Sequence, residues 1–557
     1  MDEISVLIGG RAGFGIDRAG IVLAGIMGRL GYRLFVYRDY PSIIRGGHTF
    51  SIIRASKDKI AAHKDRIDAL MALDSETLKA HKSRLKEGAV VIYDPESADP
   101  GPLPDSCRPV KLPVGAILKE EKAGEVMRNA CVIGAFCKAF GIDWGVVEPV
   151  FRKNFGDEAG INLKVAKRGY DAAESITVLE LLDKDPLPLF TGNETTALGL
   201  IRGGLKAYIS YPMTPTSPIL HYMAKLAGEF GLKVVHPESE IAVMLMALGM
   251  SYCGQRAAVG TSGGGFCLMT EGLSLSGMAE VPVVIVLGQR PGPSTGLPTY
   301  SCQTELAFAA SAGQGEFSRF IAAPGDAEEA YGLARMALDV SWKYQIPSII
   351  LTDKTLGESA YSFDSDLIPE PEERGEVIWD RVEPYKRYGD SDTGVSSLAF
   401  PPDKDAVVKV NSYEHDEYGI TTEDAALAGK MQEKRLRKDK YLGIDLEYLD
   451  CVKVYGDRNS DTILLCWGSN KGVCVEAADE LGLKVVQPLC LLPFPAKQFG
   501  RALAGAKKII AVESNATAQL AAHIKSYGFE VDETILKYDG RPFGVEELTE
   551  LVRKAVS

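Results

Sequence analysis

Ala257-Ala258-Val259-Gly260-Thr261-Ser262-Gly263-Gly264-Gly265-Phe266-Cys267-Leu268 passes from a short apolar run through a turn of small residues into a second apolar stretch. A strand over Ala257 to Thr261 closed by three glycines is one piece of a strand-helix-strand unit, and such units build parallel sheets. The residues on either side repeat the theme. Strands are predicted at Ala207 to Tyr211, Lys233 to His236, Val281 to Leu287 and Ile346 to Thr352, with helical stretches between them. In an open α/β sheet, ligands bind outside the carboxyl ends of the strands, so the loops that close these runs are the first place to look for chemistry. The glycine turn lacks the Lys-Ser/Thr of a P-loop, and nucleoside triphosphate hydrolysis is not supported.

Two further stretches have the same strand-helix alternation. The first opens with a strand from Ile4 to Ile8 and a turn over Gly9-Gly10-Arg11-Ala12-Gly13-Phe14-Gly15, then a helix with Ile16, Leu23, Ile26, Met27 and Leu30 on one face. Its last helix is expected to end near Tyr170, and the acidic, proline-containing text around Asp183-Lys184-Asp185-Pro186-Leu187-Pro188 reads as a linker. The third runs from Thr462 to the end, with strands at Ile463 to Trp467, Lys484 to Gln487 and Lys508 to Val512. Between them, residues 363 to 455 form a connector. Its basic patch Lys430-Met431-Gln432-Glu433-Lys434-Arg435-Leu436-Arg437-Lys438 reads as a solvated helix face. The fold class is therefore α/β, with three α/β domains at 1–185, 190–375 and 456–557 and a connector at 376–455.

Composition bounds the function. With 557 residues, 46% hydrophobic and 25% charged, the chain is a multidomain globular protein and neither disordered nor collagen-like. Lys plus Arg 62 against Asp plus Glu 75 gives a net charge of -13, which argues against nucleic acid as a partner. No apolar run reaches the length of a membrane span, and the start lacks a signal-peptide pattern, so a cytoplasmic protein with no membrane association is expected. The ten cysteines include no Cys-x-x-Cys and read as small buried hydrophobes, with neither a metal nor an iron-sulfur cluster on this chain.

Four groups of residues could carry chemistry. Tyr211-Pro212-Met213-Thr214-Pro215-Thr216-Ser217-Pro218 is a loop stiffened by prolines that presents the Thr214 hydroxyl, with Thr216 or Ser217 as a helix cap. Pro237-Glu238-Ser239-Glu240 precedes an almost wholly apolar helix, so Glu240 sits where a desolvated acid or base could work, while Glu238 reads as a dipole partner. Gln289-Arg290-Pro291-Gly292-Pro293-Ser294-Thr295-Gly296-Leu297-Pro298-Thr299 puts an arginine at a strand end, a natural clamp for a carboxylate. Arg45-Gly46-Gly47-His48 sets a cation and an imidazole beside glycines that let a ligand or another chain approach, and a tight exposed turn is the competing reading. The Gly9–Gly15 turn is either an anion cradle or a structural turn.

In this order the motifs resemble those of the 2-oxoacid:ferredoxin oxidoreductases, specifically an alpha subunit with a gamma domain fused at its N-terminus. The resemblance extends to Glu414-His415-Asp416-Glu417, Gly468-Ser469-Asn470-Lys471-Gly472, Pro493-Phe494-Pro495 and Glu513-Ser514-Asn515. It implies a Rossmann-like gamma domain, a thiamine-diphosphate pyrimidine-type domain and a transketolase C-terminal-like domain. It also implies coenzyme A-dependent oxidative decarboxylation of a 2-oxoacid, with electrons passed to ferredoxin. By family position, Glu240 would hydrogen-bond N1′ of the aminopyrimidine as the catalytic acid-base group, with Tyr211 and Pro212 beside the cofactor. Thr214 and Arg290 would bind the substrate, and Thr299, Arg45 and His48 are candidates for its far end. The Pro-Met-Thr-Pro and Pro-Ser-Thr-Gly-Leu-Pro-Thr variants look most like the 2-oxoglutarate enzymes, with pyruvate or a branched 2-oxoacid as alternatives. The family's Gly-Asp-Gly…Asn segment is missing, so a beta subunit is expected to supply the diphosphate site, its Mg2+ and a [4Fe-4S] cluster, in a dimer of heterodimers. A dehydrogenase built on the first domain would need a Gly-x-Gly-x-x-Gly that is absent, and a non-catalytic scaffold would be expected to have lost Glu240, Thr214 or Arg290.

Overall fold

The β-branched runs Val283–Gln289 and Pro347–Asp353, buried at every position, become central strands flanked by helices on both faces, the environment such runs need. The computed structural model describes residues 2–42, 46–368 and 375–557; Arg45 lies outside the described residues. The chain divides into two compact units: Met1–Phe190 with Glu358–Asp364 and Phe543–Glu550, and the remainder.

The first unit holds an eight-stranded sheet ordered Arg108–Lys111, Leu85–Tyr93, Ile67–Ala72, Glu3–Arg11, His48–Ser56, Arg33–Asp39, Ala360–Ser362, Leu189–Thr191. Four strands are parallel, but His48–Ser56 runs antiparallel to both neighbours, so the sheet is mixed and not purely parallel as expected. The cause is the short link between Arg33–Asp39 and His48–Ser56, which leaves no room for a crossover helix. The strand Ala360–Ser362 pairs with Arg33–Asp39, so this part of the 190–375 span belongs to the first sheet.

The glycine turn is also shorter than its sequence suggests. Gly9, Gly10 and Arg11 are strand residues opposite Phe50, Thr49 and His48, and only Ala12 to Gly15 turn. Ala12 N–H donates to Gly47 O, and Asn129 Nδ2 donates to the carbonyls of Phe14 and Gly15. Gly15 takes a left-handed φ of 69° at the helix entrance, where a Cβ would lie 2.7 Å from Asn129 Nδ2. These contacts favour a braced structural turn over an open anion cradle.

In the second unit a seven-stranded sheet runs Cys490–Leu492, Phe320–Ala322, Pro347–Asp353, Val283–Gln289, Ala257–Ser262, Ala207–Ser210, Lys233–Val235, all parallel except the antiparallel edge Cys490–Leu492. A five-stranded sheet follows: Val452–Gly456, Lys484–Pro488, Thr462–Leu465, Lys508–Glu513, Glu533–Leu536. Ile209, Met244 and Phe266 share one apolar core with Trp467, Leu491 and Phe494, so the second and third α/β stretches pack as a single body. No helix among the described residues is long and apolar enough to cross a membrane.

The basic patch is the largest departure from expectation. It lies on helix Ala425–Glu447, where Lys434, Arg435 and Lys438 are buried and not solvated. Lys434 Nζ donates to both Glu280 oxygens at 2.9 Å, Lys438 pairs with the same carboxylate, and Arg387 donates to the backbone oxygens of Ala279 and Glu280. Glu280 ends helix Gly263–Ala279 in a left-handed conformation that turns its side chain inward. Burial alone would raise its carboxyl, and the surrounding cations more than offset this, leaving it below the ordinary range. With more cations than carboxylates, Lys438 is the group that gives way: burial lowers it to about 7.

Candidate active site

Three adjacent parallel strands, Ala207–Ser210, Ala257–Ser262 and Val283–Gln289, end side by side, and their loops are stitched together. Gly288 has no side chain, and a Cβ there would sit 2.7 Å from Thr216 Cγ2 and 2.9 Å from Pro215, so the Tyr211–Pro218 loop presses directly on the neighbouring strand. The Thr216 hydroxyl does not cap helix Ser217–Phe230, as the sequence suggested; it is placed against the carbonyls of Met213 and Thr261 and ties two strand ends together. Pro218 opens the helix as expected.

Thr214 and Arg290 are brought together. Arg290 Nη1 donates to Thr214 O at 3.0 Å and Nη2 approaches Met213 Sδ at 3.5 Å, which aims the guanidinium along the loop. The Thr214 hydroxyl makes no hydrogen bond among the described residues. Burial lowers the Arg290 pKa, a sign that the cation is partly desolvated and short of counter-charge. Exposed Tyr211 packs edge-on against His236 at 5.8 Å, which leads into the Pro237–Glu240 segment, and Pro212 is exposed beside it.

Glu240 is the first residue of helix Glu240–Tyr252, with Ser239 as its N-cap accepting from Ala242 N–H. Its residue is 5% exposed, yet its carboxylate has no hydrogen bond or ion pair among the described residues. The carboxylate lies against the opening turn of helix Gly263–Ala279: a Cβ on Gly265 would fall 2.6 Å from Glu240 Oε1 and 2.2 Å from Thr261 Oγ1. Gly264, one residue earlier, faces open space. The helix behind Glu240 is not wholly buried as its apolar text implied; Ile241, Leu245 and Met246 are each nearly half exposed. With Leu268, Phe308 and Phe317, Ile241 and Leu245 form the apolar side of a groove of about 970 Å³ that Glu271, Glu316 and Arg435 also line.

Thr299 is buried, and its hydroxyl has no hydrogen-bond partner among the described residues. His48, in the first unit, is not a free cationic end: its Nε2 lies 2.8 Å from His81 Nε2 and its ring stacks on Phe50. Burial lowers both imidazoles, His81 to about 3, so the pair is neutral, with one ring nitrogen donating and the other accepting.

Two regions of the chain resemble family models: residues 198–434 that of the thiamine diphosphate-binding part of pyruvate flavodoxin/ferredoxin oxidoreductase, and residues 5–172 that of pyruvate ferredoxin/flavodoxin oxidoreductase. The alpha subunit of 2-oxoacid:ferredoxin oxidoreductase from Sulfolobus sp is 32% identical over 100% of this chain and 97% of its own length. The chain belongs to the 2-oxoacid:ferredoxin oxidoreductase alpha-subunit family. The family's 2-oxoglutarate oxidoreductase subunit KorA from Mycobacterium tuberculosis is 27% identical over 100% of this chain and 92% of the relative. Among solved structures, the 2-oxoglutarate:ferredoxin oxidoreductase from Magnetococcus marinus, with 2-oxoglutarate, coenzyme A and succinyl-CoA bound, superposes with a TM-score of 0.92 at 28% identity, covering all of both chains.

Two residues of this alpha subunit's candidate site escaped sequence reasoning. Gln303 bridges the second and third α/β stretches: its Nε2 donates to Trp467 O at 2.7 Å, and its Oε1 accepts from Asn470 Nδ2 and Ser514 N–H. The Gly468–Asn470 and Glu513–Asn515 motifs thereby hold the loop that carries Thr299. Glu305, 8% exposed, donates its backbone N–H to Gln289 Oε1 and packs on Gly263, where a Cβ would lie 2.7 Å from its Oε1. Burial pushes its carboxyl up to about 7. A signal existed: Glu305 stands before the apolar run Leu306-Ala307-Phe308, the same cue that marked Glu240.

Proposed function

We propose that this chain is the alpha subunit, with a gamma-type domain at its N-terminus, of a complex that converts 2-oxoglutarate and coenzyme A to succinyl-CoA and CO2 and passes two electrons to ferredoxin, or runs the reverse carboxylation. The observation that carries this reading is Glu240, a largely buried residue whose carboxylate has no protein partner among the described residues and is pressed against a glycine turn, with an arginine-threonine pair on a neighbouring strand end. A carboxylate without a protein partner costs free energy unless a ligand group completes its hydrogen bonds. An aminopyrimidine nitrogen is such a group, and the bare backbone at Gly264 leaves space for a flat ring beside it. These residues fit thiamine diphosphate.

When bound, that cofactor supplies the carbon nucleophile that attacks the substrate's keto carbon. Glu240 holds the proton shared with N1′ of the pyrimidine, general acid-base work by a carboxylate shielded from water. Arg290 and the Thr214 hydroxyl bind the C1 carboxylate and fix the angle of the adjacent carbonyl. Tyr211 and Pro212 wall the cofactor, and the Thr299 hydroxyl suits the second carboxylate of 2-oxoglutarate. The diphosphate, its Mg2+ and a [4Fe-4S] cluster belong to a beta subunit, because the sequence lacks the Gly-Asp-Gly…Asn segment and clustered cysteines. The exposed apolar residues Ile241, Leu245 and Leu268 next to Glu240 support a partner on that face. A cytoplasmic dimer of heterodimers with ferredoxin as acceptor completes the assignment, supported in its chemistry by the relatives that bear the 2-oxoglutarate name.

The test is co-expression with candidate beta subunits and reduction of a low-potential dye by the purified complex with 2-oxoglutarate, pyruvate and a branched 2-oxoacid, each with coenzyme A. Turnover of 2-oxoglutarate that Glu240→Gln abolishes is the expected result. Turnover of pyruvate alone would overturn the substrate assignment, and a cofactor-loaded complex without turnover would leave only a scaffold role.

A further inference from the structure

The edge of the five-stranded sheet holds a second concavity, a cleft of about 460 Å³ between strand Val452–Gly456 and helix Ala496–Ala502. Four cations line it, Lys453, Arg458, Lys484 and Arg501, against one carboxylate, Asp450. In a chain with a net charge of -13, such an excess calls for a local reason. Two of the cations have partners: Lys453 pairs with Asp450, and the largely exposed Arg501 stands 3.6 Å from Glu447. Lys484 and Arg458 make no hydrogen bond or ion pair among the described residues. Lys484 is the telling one, because its residue is only 5% exposed and yet lines the cleft. Lysine is almost never buried to this extent unless paired, and an ammonium that has lost most of its water without gaining an anion costs free energy that a bound anion offsets. Its cross-strand neighbour is Gly456, so no side chain stands directly opposite it. Lys484 begins its strand level with Ile463, whereas the Gly468–Asn470 and Glu513–Asn515 motifs follow the far ends of theirs. The Lys484 end of the cleft is therefore at the opposite end of the sheet from the loops of the candidate active site.

We propose that this cleft binds an extended anion of the polyphosphate class, such as the triphosphate chain of a nucleotide. Lys453 stands three residues before Gly456, the position opposite Lys484, so the two lysines are rooted about 10 Å apart along the sheet edge. A single phosphate is too short to meet both, whereas a chain of phosphates is met from both ends by long side chains reaching inward. Arg458, in the turn after the strand, adds a planar fork that matches phosphate oxygens. Val452 and Val454 form an apolar wall beside the cations, a surface on which a flat base can lie. Asp450, the one carboxylate that lines the cleft among the described residues, is held by Lys453, so the arrangement supports binding and not hydrolysis. An acidic protein is the other class of ligand that a basic surface attracts; the recessed amine of Lys484 favours an anion able to enter the cleft. Bound there, a polyanion joins strand Val452–Gly456 to helix Ala496–Ala502 through Arg501 and strengthens the exposed edge of the sheet.

The test is calorimetric titration of the purified full chain with inorganic phosphate, tripolyphosphate and ATP, with thermal midpoints measured in parallel. Tripolyphosphate is expected to bind at a single site about tenfold or more tighter than phosphate, with a midpoint that rises with its concentration. Lys484→Met keeps a long apolar stem and removes the buried charge, and should weaken tripolyphosphate binding by about tenfold or more, the loss of one charge-assisted hydrogen bond. Should Lys484→Met fail to fold, Arg458→Gln decides, because Arg458 is exposed and its replacement must still weaken binding. Arg152→Gln, an exposed arginine of the first unit, is the control and must leave the affinity unchanged. ATP binding tighter than tripolyphosphate supports the proposal with a nucleotide whose base lies on the valine wall, and equal affinities support it with polyphosphate alone. No binding of either anion, or binding that survives the Lys484 and Arg458 replacements, overturns it. A rise in KM for ferredoxin in the Arg458→Gln complex without polyphosphate binding overturns it as well, and makes the cleft a docking surface for an acidic protein.

Discussion

Gly265→Ala isolates the placement of Glu240 from its chemistry. The added Cβ would stand 2.6 Å from Glu240 Oε1, 2.9 Å from its Cγ and 2.2 Å from Thr261 Oγ1. Ordinary contact begins near 3.4 Å, so the carboxylate must retreat by about 0.8 Å. Thr261 is fully buried in a central strand, so its side chain and the Glu240 carboxylate must both give way, at a cost in stability as well as in placement. A misplacement of about 1 Å in a catalytic group costs about a hundredfold in rate, or about 2.7 kcal/mol in the barrier. The helix itself should tolerate alanine, which is the better helix former by about 1 kcal/mol. The assay is kcat of the purified complex with its 2-oxoacid alongside the thermal midpoint of the chain. Gly332→Ala serves as control, since it lies in helix Ala327–Tyr344 with nothing within 4 Å of the new Cβ, and should leave kcat unchanged. The expected result is a drop of about a hundredfold in kcat of the assembled Gly265→Ala complex, together with a lowered midpoint from the clash with Thr261. Wild-type kcat in Gly265→Ala would refute the argument that the bare backbone fixes Glu240.

Arg290→Lys should raise KM for the 2-oxoacid by about tenfold or more, because an ammonium cannot both hold Thr214 O and clamp a carboxylate; steady-state kinetics checks this. Gln303→Leu leaves Trp467 O, Asn470 and Ser514 N–H without their partner and should lower stability by about 2 kcal/mol or more, measured by urea denaturation. Glu280→Gln should destabilise more than Lys434→Met, since the first strands both Lys434 and Lys438 whereas the second leaves Lys438 on the carboxylate; a loss of about 3–5 kcal/mol is expected for Glu280→Gln. Because the folded state lowers the Glu280 pKa below its ordinary 4.5, this contribution is complete above that value and fades as pH falls through it towards the folded pKa, so the gap between wild type and Glu280→Gln should narrow in acid.

What the sequence showed and what it hid follow from the physics of each feature. Strands such as Val283–Gln289 announce themselves because a doubly covered strand must be apolar at every position. Strand ends carrying Thr214, Glu240 and Arg290 were legible because proline, glycine and charge stand out against apolar runs. The Lys430–Lys438 patch misled because charge normally means solvent, and nothing local reveals that Glu280, more than a hundred residues away, turns inward to meet Lys434 and Lys438. Phe320–Ala322 was invisible because three residues cannot establish a period. Glu305 shared Glu240's cue but stood behind a loop whose position depends on Gln303 and the third stretch, a long-range arrangement that spacing does not encode.

The two carboxyls also constrain which half of the proposed cofactor this chain can hold. A helix N-terminus of 17 residues ordinarily attracts phosphate. Here Glu240 and Glu305 flank it. A diphosphate lowered onto this turn would bring its negative charge against two carboxyl groups. A neutral aminopyrimidine meets no such penalty and gives Glu240 the partner it lacks. The proposed division of labour, pyrimidine and substrate on this chain, diphosphate and metal on its partner, is thus what the charge arrangement favours: the anionic end of the cofactor is kept away from the carboxylate that must share a proton with its ring.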